Sequence, residues 1–154
     1  PRSTLFPYTT LFRSAALGEL RCVEAVGPGE LVFYGVHVCE LAQTLLGSGV
    51  KTVRHSGDEH RNHVVLEYGD GRTATLVVRD DIAYTFRATV LGSQGSAHLT
   101  VNDSGGFYRG MLAAYVGMVR SGQPPIDPAD TLEIIRVLDA AVRSRAAGGV
   151  EIAL

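Results

Sequence analysis

The chain has 154 residues, of which 45% are hydrophobic and 19% are charged, enough for one globular domain with a core and too few for two full domains. The formal net charge is -2 and no basic cluster occurs, so nucleic acid is not expected as a partner. No apolar run approaches the ~20 residues of a membrane span, and no secretion signal is present. We therefore expect a soluble, cytoplasmic protein that does not bind membranes.

The first half of the chain predicts a strand, a helix and a hairpin. Residues 18–26 alternate like a strand that ends at Gly27-Pro28-Gly29. Residues 30–46 predict a well-buried helix. A short strand at 50–54 and a polar loop at 55–62 follow, and strands at 63–68 and 72–79 flank the turn Gly69-Asp70-Gly71. The helix is assigned from five apolar residues at helical spacing: Leu31, Tyr34, Val38, Leu41 and Leu45.

The second half predicts a second hairpin and two helices. Residues 84–91 alternate and turn back into SAHLTV, after which NDSGG is a predicted loop. The next helix, 107–122, carries an apolar stripe. Asp127 is the predicted N-cap of the last helix, Pro128 its first residue, and VEIAL a closing edge strand. The apolar stripe of helix 107–122 consists of Met111, Leu112, Tyr115 and Val119. The predicted core positions of the last helix are Leu132, Ile135, Leu138 and Val142.

These elements predict an α+β fold, in which a mostly antiparallel open sheet of about five to seven strands carries about three helices on one face. The other sheet face is predicted to be polar but lightly charged, and free to meet solvent or a partner subunit. The residues that define it are Thr73, Thr75, Thr85, Arg87 and Thr89.

Three sequence patterns suggest sites, and each has a simpler interpretation. Residues 69–74 match G-x-G-x-x-A, but a dinucleotide loop must open a helix and a strand pattern follows here, which favours a hairpin turn. Residues 102–106 share the short sequence of a serine-protease nucleophile loop but lack that scaffold. Three histidines, His55, His60 and His63, lie near Asp58 and Glu59 and could bind a metal, although their spacing favours a solvated polar loop.

His37 stands out because it interrupts an otherwise apolar helix. Phe33, His37, Glu40 and Thr44 fall on one helical side, which is polar from His37 onward. By itself such a stripe is more typical of a hydrogen-bonded histidine or a solvent-facing side than of an active site.

At FYGVHVCELAQTLLG the sequence resembles the C-terminal domain of the Gfo/Idh/MocA oxidoreductases. Members of this family have G-x-H-x-x-D/E on this helix and a glycine stop, which Gly35, His37, Glu40 and Gly47 match. LGSQGSAHL, SGQPPIDPADTLEIIRVLDAAVRSRAAGG and VEIAL are also similar, so the resemblance extends over about residues 18–154. The C-terminal stretch is the more specific part of it.

The resemblance implies a domain of an NAD- or NADP-dependent enzyme that acts on a sugar, polyol or related hydroxy compound. It implies His37 as the catalytic residue and Tyr34, His37 and Glu40 as the substrate-binding residues, with no cofactor or metal ligand in this chain. A separate Rossmann domain would hold the dinucleotide, and the open sheet face would form a homo-oligomer. An imidazole suits proton transfer near neutral pH.

The sequence departs from the family pattern at two points. Many members have an aspartate four residues before the histidine, where this chain has Phe33. The chain also has no Rossmann half and no Glu-Lys-Pro segment, in which the family's catalytic lysine lies. We expect no NAD(P) binding and no hydride transfer by this chain alone. A non-catalytic ligand-binding or assembly module that kept the fold is the alternative.

The first 14 residues do not fit the rest of the sequence. Residues 4–14, TLFPYTTLFRS, resemble a translated sequencing adapter and have no sustained helical or strand pattern. We expect residues 1–14 to be a non-native segment and residues 15–154 to be an N-terminally truncated substrate-binding and oligomerisation domain.

Overall fold

The computed structural model describes residues 16–101 and 104–154, which form seven strands and three helices. The strands are Leu20–Pro28 (β1), Val50–Gly57 (β2), Arg61–Tyr68 (β3), Thr73–Arg79 (β4), Phe86–Gly92 (β5), Ser96–Val101 (β6) and Ile152–Ala153 (β7). The helices are Gly35–Leu46 (α1), Ser104–Ser121 (α2) and Pro128–Ala146 (α3). The predicted segment 1–14 lies outside the described residues.

All seven strands belong to one open sheet in the order β6-β5-β1-β4-β3-β2-β7. Every neighbouring pair is antiparallel except β1 and β4, which run parallel with Ala25 opposite Leu76. A parallel pair needs a long connection, and here the chain between β1 and β4 forms α1 and the β2–β3 hairpin. The fold class predicted from sequence, an α+β fold with a mostly antiparallel open sheet, is confirmed.

The core lies between one face of this sheet and two helices. α1 packs on β1 and β4, and α3 packs on β2, β7 and α1. α2 is the third helix, and within the described residues no element packs extensively against it. The largest fully buried aliphatic side chains are Leu41, Leu66, Leu76, Val23, Val38, Val53, Val64, Val78, Val90 and Val137.

The local signals in the sequence account for several boundaries. The β3–β4 hairpin turns at the predicted residues, with Gly71 at a φ of 84°, which suits glycine. Asp127 caps α3, because its carboxylate accepts a hydrogen bond of 2.9 Å from the backbone N–H of Ala129. Both predictions are confirmed.

The α3 core positions were only partly predicted. Leu138 is buried, but Leu132 and Ile135 are more than half exposed. The buried side of the helix is formed instead by Ile134, Val137, Leu138 and Ala141, which have equally good helical spacing. The predicted α2 stripe is likewise exposed, and α2 begins at Ser104, so Gly105 and Gly106 are helical and not part of a loop.

The predicted polar loop at 55–62 is wrong. β2 continues through His55 to Gly57 and β3 already begins at Arg61. His55 and Asn62 are both buried, and His55 Nε2 lies 2.9 Å from the side-chain oxygen of Asn62. Because these polar groups pair with each other, they can occupy the buried face of two neighbouring strands.

Among the described residues, no helix packs on the sheet face opposite α1 and α3. Thr73, Thr75, Arg87 and Thr89 lie on it as predicted, whereas Thr85 precedes β5. Glu24 of β1 lies between Thr75 and Thr89 in the register of the three central strands.

Candidate functional site

His37 lies in the first turn of α1, at the sheet edge where β1 ends. Its backbone N–H donates to the carbonyl of Tyr34, the residue at the helix N-cap, over 3.1 Å. The side chain of His37 is 56% exposed. The helix therefore fixes the base of this side chain and leaves the imidazole open to a ligand.

Glu40 holds one of the two ring nitrogens of His37. The His37 Nδ1 atom lies 3.2 Å from a carboxylate oxygen of Glu40, one helical turn further along α1. An ionised carboxylate can only accept a hydrogen bond, so Nδ1 carries the proton. In the neutral ring Nε2 then keeps its lone pair and can accept a proton from a bound hydroxyl.

The His37 imidazole is one of four rings that contact one another in a closed cycle. Tyr34 meets His37 edge to face with ring centres 6.4 Å apart, and His37 meets Phe86 at 6.0 Å. Tyr84 completes the cycle, 5.7 Å from Phe86 and 6.4 Å from Tyr34. Each contact has the T-shaped geometry that aromatic pairs prefer. We call Tyr34, His37, Tyr84 and Phe86 the aromatic cluster.

Two glycines make room for the aromatic cluster. A Cβ atom on Gly27 would lie 2.4 Å from a methyl carbon of Val38 and 2.9 Å from the Phe86 ring. A Cβ atom on Gly29 would lie 2.4 Å from the Tyr34 ring, and the φ of 85° at Gly29 also favours glycine. The GPG sequence that ends β1 thus permits the close approach of two cluster rings to the backbone.

Tyr84 and Phe86 were not among the predicted site residues. Their alternation with Ala88 and Val90 places Phe86 on the helix-covered face, and this pattern was visible in the sequence. The contact of Phe86 with His37 depends on the pairing of β5 with β1, where Val26 lies opposite Arg87. Sequence spacing gave no indication of that pairing.

Phe33 does not share a helical side with His37 as predicted. α1 begins only at Gly35, and Phe33 lies in the preceding turn with 72% of its surface exposed. The other three residues of the predicted stripe, His37, Glu40 and Thr44, all lie within α1. The carboxylate that pairs with His37 follows it in the sequence.

The same sheet edge carries three ion pairs, because the ends of β1 and β4 and the β2–β3 turn meet there. The Arg61 guanidinium holds the pKa of Asp58 below its usual range, and Arg79 does the same for Asp81. The Asp80 carboxylate, 2.7 Å from His60 Nδ1, raises the pKa of His60. The pairs are Asp58–Arg61, His60–Asp80 and Arg79–Asp81.

The three histidines considered for a metal site do not converge. His55 lies on the buried face of the sheet, opposite Val64 in the β2–β3 ladder. His63 is the residue before Val64 on β3, so it lies on the opposite face. His60 is in the turn, paired with Asp80. Over residues 16–101 and 104–154 no group of three or more His, Cys, Asp or Glu side chains could hold a metal ion.

The remaining patterns are structural. The G-x-G-x-x-A segment is the β3–β4 hairpin, so a strand and not a helix follows Gly71. The chain therefore offers no glycine-rich helix start for a dinucleotide at this segment. Asn102 and Asp103 of the segment compared with a protease loop lie outside the described residues.

None of the described helices is long and apolar enough to span a membrane.

No family model matches the sequence, and no curated protein matches it. The fold nevertheless occurs in solved oxidoreductases of the Gfo/Idh/MocA type, as their C-terminal domain. GenD2 from gentamicin A biosynthesis, solved in complex with NAD, superposes with a TM-score of 0.84 at 18% identity, over 99% of this chain and 61% of that one.

Two inositol dehydrogenases are similar to the same extent. The myo-inositol dehydrogenase of Corynebacterium glutamicum gives a TM-score of 0.81 at 14% identity, over 98% of this chain and 61% of that one. The scyllo-inositol dehydrogenase of Lactobacillus casei, solved with NAD(H) and scyllo-inositol, gives 0.79 at 12% identity over 98% and 61%. The chain thus spans about three fifths of the length of these structures, and the likeness shows the fold.

Proposed function

We propose that this chain is the substrate-binding domain of an NAD(P)-dependent oxidoreductase that acts on a sugar, polyol or related hydroxy compound. The observation that carries the proposal is the His37 imidazole: Glu40 orients its Nδ1 atom, Tyr34 and Phe86 contact its ring, and more than half of the side chain is exposed. The likeness to dehydrogenase structures supports the same class of reaction.

His37 is the proposed catalytic residue. Its Nε2 atom accepts the proton of the substrate hydroxyl, and Glu40 stabilises the resulting imidazolium through the hydrogen bond to Nδ1. Tyr34 and Glu40 are the proposed substrate-binding residues, since the Tyr34 hydroxyl and the second Glu40 oxygen supply hydrogen-bonding groups at the rim. Tyr84 and Phe86 supply an apolar wall for the carbon skeleton.

We expect no dinucleotide to bind this chain alone, because the sequence contains no G-x-G-x-x-G and its nearest match is a hairpin turn. In the proposed enzyme a separate Rossmann domain would hold the cofactor, which would accept the hydride. The chain covers 61% of the GenD2 and myo-inositol dehydrogenase structures, and the rest of each structure is long enough for such a domain.

The test uses the longer protein in which this chain follows its dinucleotide-binding domain. Formation of NADH or NADPH is followed by absorbance with a panel of polyols and sugars. His37→Ala should lower kcat/KM by about 10²–10⁴-fold, the usual contribution of a positioned acid or base. Arg136→Ala is the control, because Arg136 is exposed on α3 and belongs neither to the aromatic cluster nor to the open sheet face. Activity that survives His37→Ala unchanged contradicts the catalytic role.

The alternative is a non-catalytic ligand-binding or assembly module. Phe33, which stands where many relatives of the resembled family have aspartate, is the observation that favours it. If the chain is such a module, the assay shows no formation of NADH or NADPH with any substrate. The Phe33→Asp substitution then does not produce activity either. Because Phe33 is largely exposed, this substitution should leave the fold intact.

The open sheet face is the proposed homo-oligomer interface. Besides its threonines it carries two acidic side chains, Glu24 and Glu67, and two basic ones, Arg54 and Arg87, and such a mixture of charges can pair with that of another copy. Cys22 lies on this face beside Glu24 and is partly exposed, so it reports whether the face is covered. Alkylation of Cys22 should be slow in an oligomeric fraction and fast in a monomeric one. Equal rates in both fractions argue against this interface.

A further inference from the structure

The connection between β4 and β5 carries one ring of the aromatic cluster across the end of β1. β4 ends at Arg79 and β5 begins at Phe86, and these two strands lie on opposite sides of β1 in the sheet. The connection, residues 80–85, therefore crosses the end of β1, at the sheet edge where α1 presents His37. We call residues 80–85 the β4–β5 loop. Tyr84 lies near its end.

Tyr84 is the most exposed member of the aromatic cluster. It is 77% exposed, and its ring meets Phe86 at 5.7 Å and Tyr34 at 6.4 Å. Each of these T-shaped contacts contributes only a little to stability. A side chain with so much of its surface in water depends for its position on the backbone that carries it. The anchoring of the β4–β5 loop therefore decides where Tyr84 lies.

Two hydrogen bonds fasten the start of the β4–β5 loop to the turn between β2 and β3. His60 Nδ1 lies 2.7 Å from a carboxylate oxygen of Asp80, and the backbone N–H of Asp80 donates to the carbonyl of His60 over 3.2 Å. The turn itself is well defined, because the Asp58 carboxylate accepts hydrogen bonds of 2.9 Å from the backbone N–H groups of His60 and Arg61. It thus gives the loop a fixed support.

The strength of the side-chain bond depends on the proton of His60. With His60 protonated the pair is a charge-assisted hydrogen bond, and without the proton it is a weaker bond from a neutral ring. The hydrogen bond to Asp80 is the main cause that raises the pKa of His60, and the charges of Glu59 and Asp58 act in the same direction. The ion pair is therefore complete at low pH and is lost as the pH rises through the raised pKa.

His60 is the group at this position whose charge changes near neutral pH. Its side chain is 69% exposed, so it exchanges protons directly with solvent. Aspartate, glutamate and arginine keep their charges over the neutral range. The charged groups that face His60 come from its own turn and from the end of β4 with the start of the loop, and they are Asp58, Glu59, Arg61, Arg79, Asp80 and Asp81.

We propose that His60 and Asp80 form a pH-sensitive latch, which holds Tyr84 in the aromatic cluster while His60 is protonated and releases the β4–β5 loop when His60 loses its proton. The inference rests on the proposed function, in which Tyr84 is part of the wall for the carbon skeleton of the substrate. His60 and Asp80 are positioning residues, because they act on the substrate only through Tyr84. His37 and Glu40 both lie on α1, so release of the loop weakens substrate binding and leaves the proton acceptor in place.

The latch is tested by NMR of the 154-residue chain between about pH 5 and 9, the range in which a histidine titrates. The ring protons of Tyr84, assigned with the Tyr84→Phe variant, lie close to the rings of Phe86 and Tyr34. On release their chemical shifts should move towards those of a free tyrosine. We expect this movement to follow the titration of His60, which its own imidazole protons report.

Three variants separate the latch from a general effect of charge. Asp80→Asn should abolish the pH dependence of the Tyr84 signals. His60→Lys, which keeps a positive charge over the whole range, should hold Tyr84 in place up to the highest pH. Asp81→Asn is the matched control, because it removes the same charge from the next residue, whose partner is Arg79. It should retain the pH dependence of the parent.

The effect on the substrate is measured as KM for a polyol or sugar in the longer protein that includes the dinucleotide-binding domain. At the acid end of the range Asp80→Asn should raise KM by about two- to fivefold, the effect expected of one exposed ion pair, with kcat nearly unchanged. At the alkaline end the parent and Asp80→Asn should have the same KM, because the parent has then lost its ion pair as well.

Three results overturn the inference. The first is a Tyr84 signal that does not change as His60 titrates, and the second is a change that persists in Asp80→Asn. The third is a ratio of KM between Asp80→Asn and the parent that is the same at both ends of the range, which is the result expected if the pair only stabilises the fold.

The NMR experiment does not need turnover, so the inference and the proposed function can fail separately. Tyr84 signals that follow His60, in a chain whose longer form oxidises no polyol or sugar, retain the latch and remove the function. Turnover that depends on His37, with Tyr84 signals that ignore the titration of His60, retains the function and removes the latch.

Discussion

Replacing Gly27 by alanine should destabilise the fold because the added methyl has no space. The new Cβ would lie 2.4 Å from the Val38 methyl carbon and 2.9 Å from the Phe86 ring. Carbon atoms in contact are about 3.5–4.0 Å apart, so the overlap with Val38 is at least about 1 Å. Gly27 is buried on β1, which is hydrogen-bonded to β4 and β5 on both sides, so its backbone cannot withdraw.

The strain must therefore fall on Val38 and Phe86. Overpacking of a core costs about 1–3 kcal/mol, and with an overlap of this size we expect about 2–3 kcal/mol. For a chain of this length the corresponding fall in Tm is about 4–12 °C. Urea unfolding followed by circular dichroism measures the change. Gly117→Ala is the control, since no atom lies within 4 Å of its Cβ position in α2 and helical alanine should be neutral or stabilising by up to about 1 kcal/mol.

A double variant identifies the contact responsible. Val38→Ala alone opens a cavity, but in the Gly27→Ala background it removes the overlapping methyl, so the two effects should differ from additivity by at least about 1 kcal/mol. The displaced Phe86 ring should also shift the NMR resonances of the His37 imidazole. Stability of Gly27→Ala equal to that of the parent, or additive energies in the double variant, would refute the reasoning.

Three further predictions concern a thiol, a pH response and a helix cap. Burial raises the pKa of Cys39 to about 12. In the Cys22→Ser variant, Cys39 is the remaining thiol, and it should react with a disulfide reagent at pH 8 only as fast as the chain unfolds. Rapid labelling of the folded chain would contradict this prediction. Because Asp80 raises the pKa of His60 above its usual 6.5, the stabilisation from this pair is complete below that value and is lost as the pH rises through the folded pKa. In the Asp80→Asn variant, the unfolding midpoint should no longer fall as the pH rises through the pKa of His60. A pH dependence equal to that of the parent would show that this pair is not the cause. Asp127→Ala should lower the free energy of unfolding by about 1 kcal/mol in urea titrations, whereas Asp127→Asn, which keeps a cap, should cost less.

Local signals predicted much of the fold. The hairpin turn ending at Gly71 and the cap at Asp127 depend on residues a few positions apart, and both were read correctly from sequence. Strand alternation at 86–91 also placed Ala88 and Val90 on the buried side. These features follow from backbone preferences that do not depend on distant parts of the chain.

Features that depend on distant partners were predicted less well. α3 has apolar residues on more than one side, and the prediction placed Leu132 and Ile135 in the core, whereas the side that meets the sheet carries Ile134. His55 looked like a loop residue because its partner Asn62 belongs to the next strand. The contact of His37 with Phe86 requires the β1–β5 pairing, which joins segments far apart in the sequence.

The place of β1 in the centre of the sheet has a consequence for how the chain is made. Of the seven described strands β1 leaves the ribosome first, yet both of its neighbours, β4 and β5, are synthesised much later, as the pairing of Cys22 with Thr73 and Leu91 shows. Until then its apolar residues have no sheet to join, and loop closure must precede any gain from pairing. We expect slow folding that completes only after β5 has emerged. Chains that stop before Phe86 should leave an open strand edge and aggregate.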